Sequence, residues 1–183
     1  FIESGWSLKW LHREIMLSAV YQLSSDHQAE AAQKDPENRM RWRMTRRRLE
    51  VESWRDALLA VSGNLDKTKG GPTVELDDGN NNRRTVYGAV SRHDLNGLLR
   101  LFDFPDANVT SATRTETTVP QQQLFVLNSD FFVKQAKALA ARLQSDAGDD
   151  NDAKIHRAYQ LLFGRNADDG ESALGTAFVS QNK

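Results

Sequence analysis

Apolar residues recur at helical spacing in separate stretches along most of the chain, and this periodicity limits the possible folds more than any other property. Between Ser7 and Ser25 the apolar residues at this spacing are Leu8, Leu11, Ile15 and Ala19. Such a repeat places side chains on one face of an α-helix. Other stretches with this spacing begin near Thr45, Asp94, Pro120, Ser129, Ile155 and Leu174. The stretch from Thr45 places Val51, Trp54, Leu58 and Val61 on one face, and the stretch from Ser129 is predicted to bury Phe132, Ala136, Leu139 and Leu143. The pattern predicts a mainly α protein.

Residues that favour helix ends lie at the borders of these stretches. Ser7 is predicted to cap the first helix, because a serine oxygen accepts a backbone N–H of the first turn. The helix that starts near Thr45 is predicted to end at Gly63, which can adopt the left-handed conformation. The first helix is predicted to end near Ser24 and Ser25, and Asp94 is predicted to cap a short helix. Pro120 suits the start of a helix, and Gly164 is predicted to end another.

The middle of the chain, residues 64–119, lacks long helical periodicity. Two short β-branched segments, "TVEL" and "RTVYGAV", are separated by "DDGNNN", a pattern that predicts a small β hairpin or ribbon inserted in the middle. A long polar passage follows from "DFPDANVT" to Thr118. We therefore expect a single domain over residues 1–183, with a helical frame and an irregular middle at 64–119.

Bulk composition excludes several classes of protein. The chain has 183 residues, 24 basic and 25 acidic side chains, and no cysteine. Without cysteine it forms no disulfide framework, thiolate metal site or CxxCH haem attachment. No apolar run approaches the roughly 20 residues of a membrane span, so no membrane insertion is predicted. The chain starts at Phe1 rather than methionine, and we expect it to be a fragment of a longer multidomain protein.

Six arginines fall within the ten positions 39–48, at the predicted start of a helix. The partial positive charge of a helix N-terminus makes arginines unfavourable there, so carboxylates are expected to neutralise them from inside the molecule. This hypothesis gives a structural ion-pair network formed by Arg47, Arg48, Glu52, Asp103 and Asp106.

A second hypothesis treats the arginines as an anion site. Its residues are Arg46, Arg47, Arg48, Arg114 and Thr117, which would line a cleft with several donors unpaired. A nucleic-acid interface would need a clear basic excess, whereas the formal net charge is -1. No nucleic-acid partner is therefore predicted.

Other motifs are read as structural. "SRHD", Ser91 to Asp94, contains the residue types of a hydrolase triad, but residues so close in sequence seldom converge in that geometry. The four histidines are scattered, so no metal site is predicted. "DDGNNN" and "DAGDDND" are rich in oxygen ligands without EF-hand spacing, and weak calcium binding is left open. No catalytic residue is assigned.

Several segments together resemble the planctomycete-type domain of unknown function found at the C-terminal end of large cytochrome-c-linked proteins. They are "ESGWSLKWLHREIMLSAVYQLSS", "DPENRMRWRMTRRRLEVESWRDALLAVSGNLD", "GGPTVEL", "LFDFPDANVTSATRTETTVPQQQLFVLNSDFFVKQAKALAARL" and "RAYQLLFGR". The resemblance implies an exported multidomain protein, periplasmic or at the cell surface, with haem in an upstream domain and no cofactor in this chain. It implies no catalytic residue.

Two hypotheses of function follow. The first is a non-catalytic structural or interaction module that packs against neighbouring domains of an exported cytochrome-c-linked protein. The second is part of an enzyme with an arginine- and threonine-lined cleft that binds an anionic saccharide or a similar anion. Unpaired arginine donors in a cleft would favour the second, and mutually bonded charges with an apolar docking face elsewhere would favour the first.

Overall fold

The computed structural model describes residues 1–76 and 78–181. These residues are mainly helical, as predicted, and form eight α-helices and one short 3-10 helix at Thr85–Tyr87. The α-helices are α1 (Leu8–Leu17), α2 (Ala29–Lys34), α3 (Val51–Ser62), α4 (Gly97–Leu101), α5 (Pro120–Asn128), α6 (Asp130–Ala147), α7 (Asn151–Phe163) and α8 (Asp169–Gln181). Within the described residues, no helix has both the length and the apolar composition that a membrane crossing requires.

The chain divides into two compact units, Phe1–Arg48 and Leu49–Lys183. The first unit holds α1, α2 and the arginine-rich segment. The second holds α3 to α8 and the irregular middle. The single domain over residues 1–183 remains a prediction.

In the first unit, α1 begins where the sequence predicts and ends earlier. The Ser7 side-chain oxygen accepts the N–H of Trp10 at 3.2 Å, which confirms the predicted cap. The helix stops at Leu17 because Ser18 forms a turn, donating its hydroxyl to the carbonyl of Ile15 and accepting the N–H of Tyr21. Serine side chains favour such local bonds over helix continuation.

The arginine-rich segment ends the first unit and is not helical at Arg46, Arg47 and Arg48. The helix predicted from Thr45 begins at Val51, so that prediction was wrong by six residues. The helix dipole explains the difference: three arginines in a first turn are unfavourable, whereas the observed first turn contains Glu52.

The core of the second unit lies where α3 and α4 meet the irregular middle. Its buried residues are Val51, Leu76, Leu98 and Leu99, and the half-buried side chains packed against them are Trp54, Leu95, Phe102, Phe104 and Phe125. Around this core α3 packs on α6, α6 on both α5 and α7, and α7 on α8.

A polar bridge joins α3 to α6. Gln135, buried on α6, accepts hydrogen bonds through Oε1 from Ser62 Oγ at 2.7 Å and from Asn64 Nδ2 at 2.8 Å. The position next to Gln135, Ala136, was predicted to lie in a buried stripe, yet it is exposed.

Three predicted helix ends of the second unit are confirmed. Gly63 and Gly164 end α3 and α7 in the left-handed conformation, with φ of 83° and 69°. Pro120 begins α5. The cap expected from Asp94 is supplied instead by Asn96, whose side chain accepts the N–H of Leu98 at 3.0 Å. Helix α4 is correspondingly short.

The described residues do not show the hairpin predicted between "TVEL" and "RTVYGAV". They form two isolated parallel bridges, Asp66 with Arg83 and Val74 with Gly88, and Thr85–Tyr87 is a turn of 3-10 helix. Asp56 of α3 accepts the backbone N–H of Thr85, and Val74 exchanges backbone hydrogen bonds with Tyr87 and Ala89, so the two segments meet at a parallel bridge.

Candidate functional site

The most deeply buried charge in the described residues is Arg55 on α3, which is 1% exposed. Its Nη1 donates to the carbonyl of Arg83 at 3.0 Å and to Thr85 Oγ1 at 3.2 Å. Its Nη2 donates to the carbonyl of Asn81 at 2.6 Å. The guanidinium also lies 5.2 Å from the ring centroid of Phe131. Arg55 therefore organises the irregular middle around α3.

The next residue, Asp56, completes this contact. Asp56 Oδ1 accepts both the backbone N–H and the hydroxyl of Thr85, each at 2.7 Å. Its other oxygen lies 3.6 Å from Arg84 Nε. Burial lowers the pKa of Arg55, and the Asp56 carboxylate opposes that shift. An arginine stays protonated under these conditions, so the site is a buried structural cation.

Sequence reasoning missed Arg55. The predicted apolar face of α3 was Val51, Trp54, Leu58 and Val61, whereas the buried residues are Val51, Arg55, Leu59 and Ser62. The signal was present, because Arg55 lies four positions from both Val51 and Leu59 and thus on their face of the helix.

Arg114, predicted as an anion-binding residue, is paired inside the second unit. Its Nη1 and Nη2 donate to the two carboxylate oxygens of Glu52 at 2.7 and 2.8 Å, in the bidentate geometry that arginine favours. Glu50 lies 3.5 Å from Nη1. The hydrogen bonds from Arg114 lower the pKa of Glu52, and those to Glu52 raise the pKa of Arg114.

The other predicted residues of the second unit are bound locally. Asp103 accepts the N–H of Thr117 at 2.9 Å and its hydroxyl at 2.7 Å. Asp106 accepts the backbone N–H of Asn108 at 2.8 Å. These contacts fold the polar passage onto itself and onto the end of α4.

A hollow of about 420 Å³ lies beside this passage and is lined by Asp103, Phe104, Asp106 and Arg114, among others. Of the five residues predicted to form an anion site, Arg114 lines this hollow. Its lining includes two aspartates, and the guanidinium of Arg114 already binds Glu52. This is an unfavourable electrostatic environment for an anion.

The remaining predicted residues, Arg46, Arg47 and Arg48, belong to the first unit and are exposed. Arg46 Nε donates to Ser25 Oγ at 3.4 Å. The ion-pair network expected between Arg47, Arg48 and the carboxylates of the second unit remains a prediction.

Both aspartate-rich loops bind other protein groups. Lys134 Nζ donates to the carbonyl of Gly79 at 2.6 Å and to Asn80 Oδ1 at 3.3 Å, so an ammonium binds two oxygens of "DDGNNN". Asp77 of this segment lies outside the described residues. In "DAGDDND", Asp150 caps α7 and Asp149 accepts a hydrogen bond from Gln144. Within residues 1–76 and 78–181, no group of three or more histidine or carboxylate side chains is placed to hold a metal ion.

The "SRHD" segment forms a turn. Ser91 Oγ accepts the backbone N–H groups of His93 and Asp94 at 3.3 and 3.2 Å. The serine hydroxyl oxygen thus binds backbone, as the structural interpretation of the motif expects.

A second bidentate pair closes the turn between α7 and α8. Arg165 donates from Nη1 and Nη2 to the carboxylate of Glu171, each at 2.7 Å. The hydrogen bonds from Arg165 lower the pKa of Glu171 to about 2.

The low pKa of Glu171 predicts a pH dependence. A carboxyl whose pKa is lower in the folded state stabilises the fold above its unfolded-state pKa, and this contribution is lost as pH falls through the folded value. The contribution of Glu171 should therefore be complete above about pH 4.5 and fade towards pH 2. Side-chain carboxyl NMR shifts of the folded protein should titrate below pH 3 for Glu171. In Arg165→Gln the midpoint should rise towards the ordinary value of about 4.3 and stay somewhat below it, because the backbone N–H of Asp168 still donates to Glu171. An unchanged midpoint would contradict the assignment.

The first unit presents a different surface. None of the ten residues of α1 is buried. This includes three large apolar side chains, since Trp10, Met16 and Leu17 are 40%, 55% and 59% exposed. These three side chains and Lys9, His12 and Arg13 line a shallow hollow of about 640 Å³. We call these six residues the α1 surface.

The chain matches one protein-family model over residues 1–179. No curated protein and no solved structure matches it significantly. The family match covers both units and nearly all the residues discussed above. The chain belongs to the PSD1 family, described as protein of unknown function (DUF1553).

Proposed function

We propose that this chain is a non-catalytic interaction module that packs against neighbouring domains of a longer, exported, cytochrome-c-linked polypeptide. Haem would belong to an upstream domain of that polypeptide. The export and the cytochrome linkage rest on the resemblance of the quoted segments alone. The proposal of docking rests on the α1 surface.

The observation that carries the proposal is the exposure of α1. Large apolar side chains scattered singly on a surface are ordinary, but a contiguous apolar patch is typical of an interaction site. Here Trp10, Met16 and Leu17 are grouped on one helix that buries no residue. Covering these side chains would remove apolar area from water, which favours association.

The polar groups of the second unit give the complementary argument. A catalytic or binding cleft needs groups that are free to meet a ligand. Glu52 and Arg114 bind each other, and Arg55 and Asp56 bind the segment from Asn81 to Thr85, so all four form internal contacts. Their geometry serves to hold loops in place, as expected of a scaffold.

The alternative, a cleft for an anionic saccharide, receives less support. Its second-unit residues are Arg114 and Thr117. Arg114 donates to Glu52, and Thr117 donates to Asp103. An anion would have to displace the intramolecular carboxylate from Arg114. We therefore favour the interaction module.

Amide hydrogen exchange tests the proposal. The amides of residues 8–17 should exchange about tenfold more slowly in the full-length polypeptide than in the isolated 183-residue chain, because docking would oppose local opening of α1. Helix α3, which contributes to the core, serves as the control and should exchange equally in both. Equal exchange of α1 in the two proteins would refute docking through this surface.

A further inference from the structure

We infer that the α1 surface binds a protein surface that is apolar at its centre and carries carboxylates around it. This inference rests on the proposed function and specifies the chemistry of the partner. It depends on which side chains surround the apolar residues of α1.

The charges that line the hollow on α1 have one sign or none. Lys9, His12 and Arg13 line it together with Ser7 and the three apolar side chains, and the described lining contains no carboxylate. The chain as a whole carries 24 basic and 25 acidic residues, so this local excess is not a consequence of composition. Glu14 also belongs to α1 but does not line the hollow, so the basic excess is a property of the lining itself. A basic lining favours a partner with negative potential.

The helical spacing places these charges around the apolar side chains. Arg13 is three or four positions from Lys9, Trp10, Met16 and Leu17, so it neighbours each of them on the helix surface. Long basic side chains cover apolar surface with their stems and keep the charged end at its edge. The α1 surface therefore has an apolar centre with basic groups at its border.

A protein partner fits this surface better than a lipid bilayer. Recognition of anionic lipid by basic residues generally uses clusters of four to eight lysines or arginines. The α1 surface has two, Lys9 and Arg13, with one histidine. The hollow is also suited to a few projecting side chains of a partner protein.

Carbodiimide coupling in the full-length polypeptide tests the inference directly. This reagent joins a lysine amine to a carboxylate in contact with it and leaves no spacer. Mass spectrometry should find Lys9 coupled to an aspartate or glutamate outside residues 1–183. Lys9→Arg keeps the charge but presents no amine, so it should abolish the product while α1 stays protected from exchange. Coupling of Lys9 only to carboxylates within residues 1–183 would overturn the inference.

Charge reversal provides a second measurement. Lys9→Glu with Arg13→Glu should accelerate exchange of the α1 amides in the full-length polypeptide by about tenfold, since like charges would then face each other. Position 9 lies in the first turn of α1, where glutamate is favourable. Position 13 lies beyond that turn, and two glutamates four positions apart repel weakly, so exchange of α1 in the isolated double variant is measured as the baseline. The matched control is Lys67→Glu with Lys69→Glu, the same change of charge at exposed positions of the second unit, which should leave α1 exchange unchanged.

The outcomes separate this inference from the proposed function. If Trp10→Ala releases α1 but charge reversal does not, docking stands and the acidic partner is refuted. If α1 is no better protected in the full-length polypeptide, both fail. If phosphatidylglycerol vesicles protect α1 of the isolated chain as strongly as the full-length polypeptide does, the partner is a lipid surface and the inference fails.

Discussion

Replacing Arg55 by methionine is expected to lower the free energy of unfolding by about 2–5 kcal/mol, because each buried polar group that loses its partner costs about 1–3 kcal/mol. Arg55 is 1% exposed and donates to Asn81, Arg83 and Thr85. Methionine fills much of the volume, yet it leaves two buried carbonyls without their donors. Urea unfolding followed by circular dichroism measures the change.

Two variants make the Arg55 prediction specific. Arg84 is an exposed arginine whose Nε lies 3.6 Å from the carboxylate of Asp56, the residue next to Arg55. Arg84→Met should lower the free energy of unfolding by less than about 1 kcal/mol. Arg55→Lys keeps a positive charge but lacks the planar guanidinium with its several N–H donors. It should therefore be less destabilised than Arg55→Met and more destabilised than the unsubstituted protein. A loss below about 1 kcal/mol for Arg55→Met, equal to that of Arg84→Met, would show that the buried guanidinium does not organise the middle of the chain.

Removing Arg114 is expected to have the next largest effect. Arg114→Gln should lower the free energy of unfolding by about 1–3 kcal/mol, because Glu52 loses both charge-assisted hydrogen bonds. Glu52 is half-buried and its carboxylate would keep few partners. The double variant Glu52→Gln with Arg114→Gln should be less destabilised than the sum of the two single variants. Additive losses would show that the two side chains act independently.

The contribution of this pair should also depend on pH. The hydrogen bonds from Arg114 lower the pKa of Glu52 in the folded protein. The stabilisation is therefore complete above the unfolded-state pKa of about 4.3 and is lost as pH falls through the folded-state value. Urea unfolding of the Glu52 and Arg114 variants at pH 7 and at lower pH should show that the interaction free energy between these two side chains decreases in acid. Glu50→Gln, which removes a more exposed carboxylate 3.5 Å from Arg114, is the control and should change stability little.

Helix ends were predictable where the deciding chemistry is local. Ser7 caps α1, Pro120 begins α5, and Gly63 and Gly164 end α3 and α7. Each of these effects acts within one turn of the residue that causes it. A window of a few residues therefore contains all the information that the prediction needs.

The start of α3 shows a local effect that was weighed incorrectly. Three arginines before Glu50 were assigned to a first helical turn on the expectation that distant carboxylates would offset their cost. The helix instead begins after them, at Val51, so they never meet the helix dipole as first-turn residues. Avoiding an unfavourable charge required only a shorter helix.

By itself the sequence determined that the chain is mainly helical, where two helices begin and two end, and that cysteine chemistry has no place in it. Only the tertiary structure decided that Arg55 is buried and that Arg114 binds Glu52 across 62 positions. The sequence contains 25 acidic side chains, and any of them is a possible partner for each arginine. The energy of an ion pair depends on distance and burial, which are set by the folded backbone. The same backbone left α1 with its apolar side chains exposed to solvent.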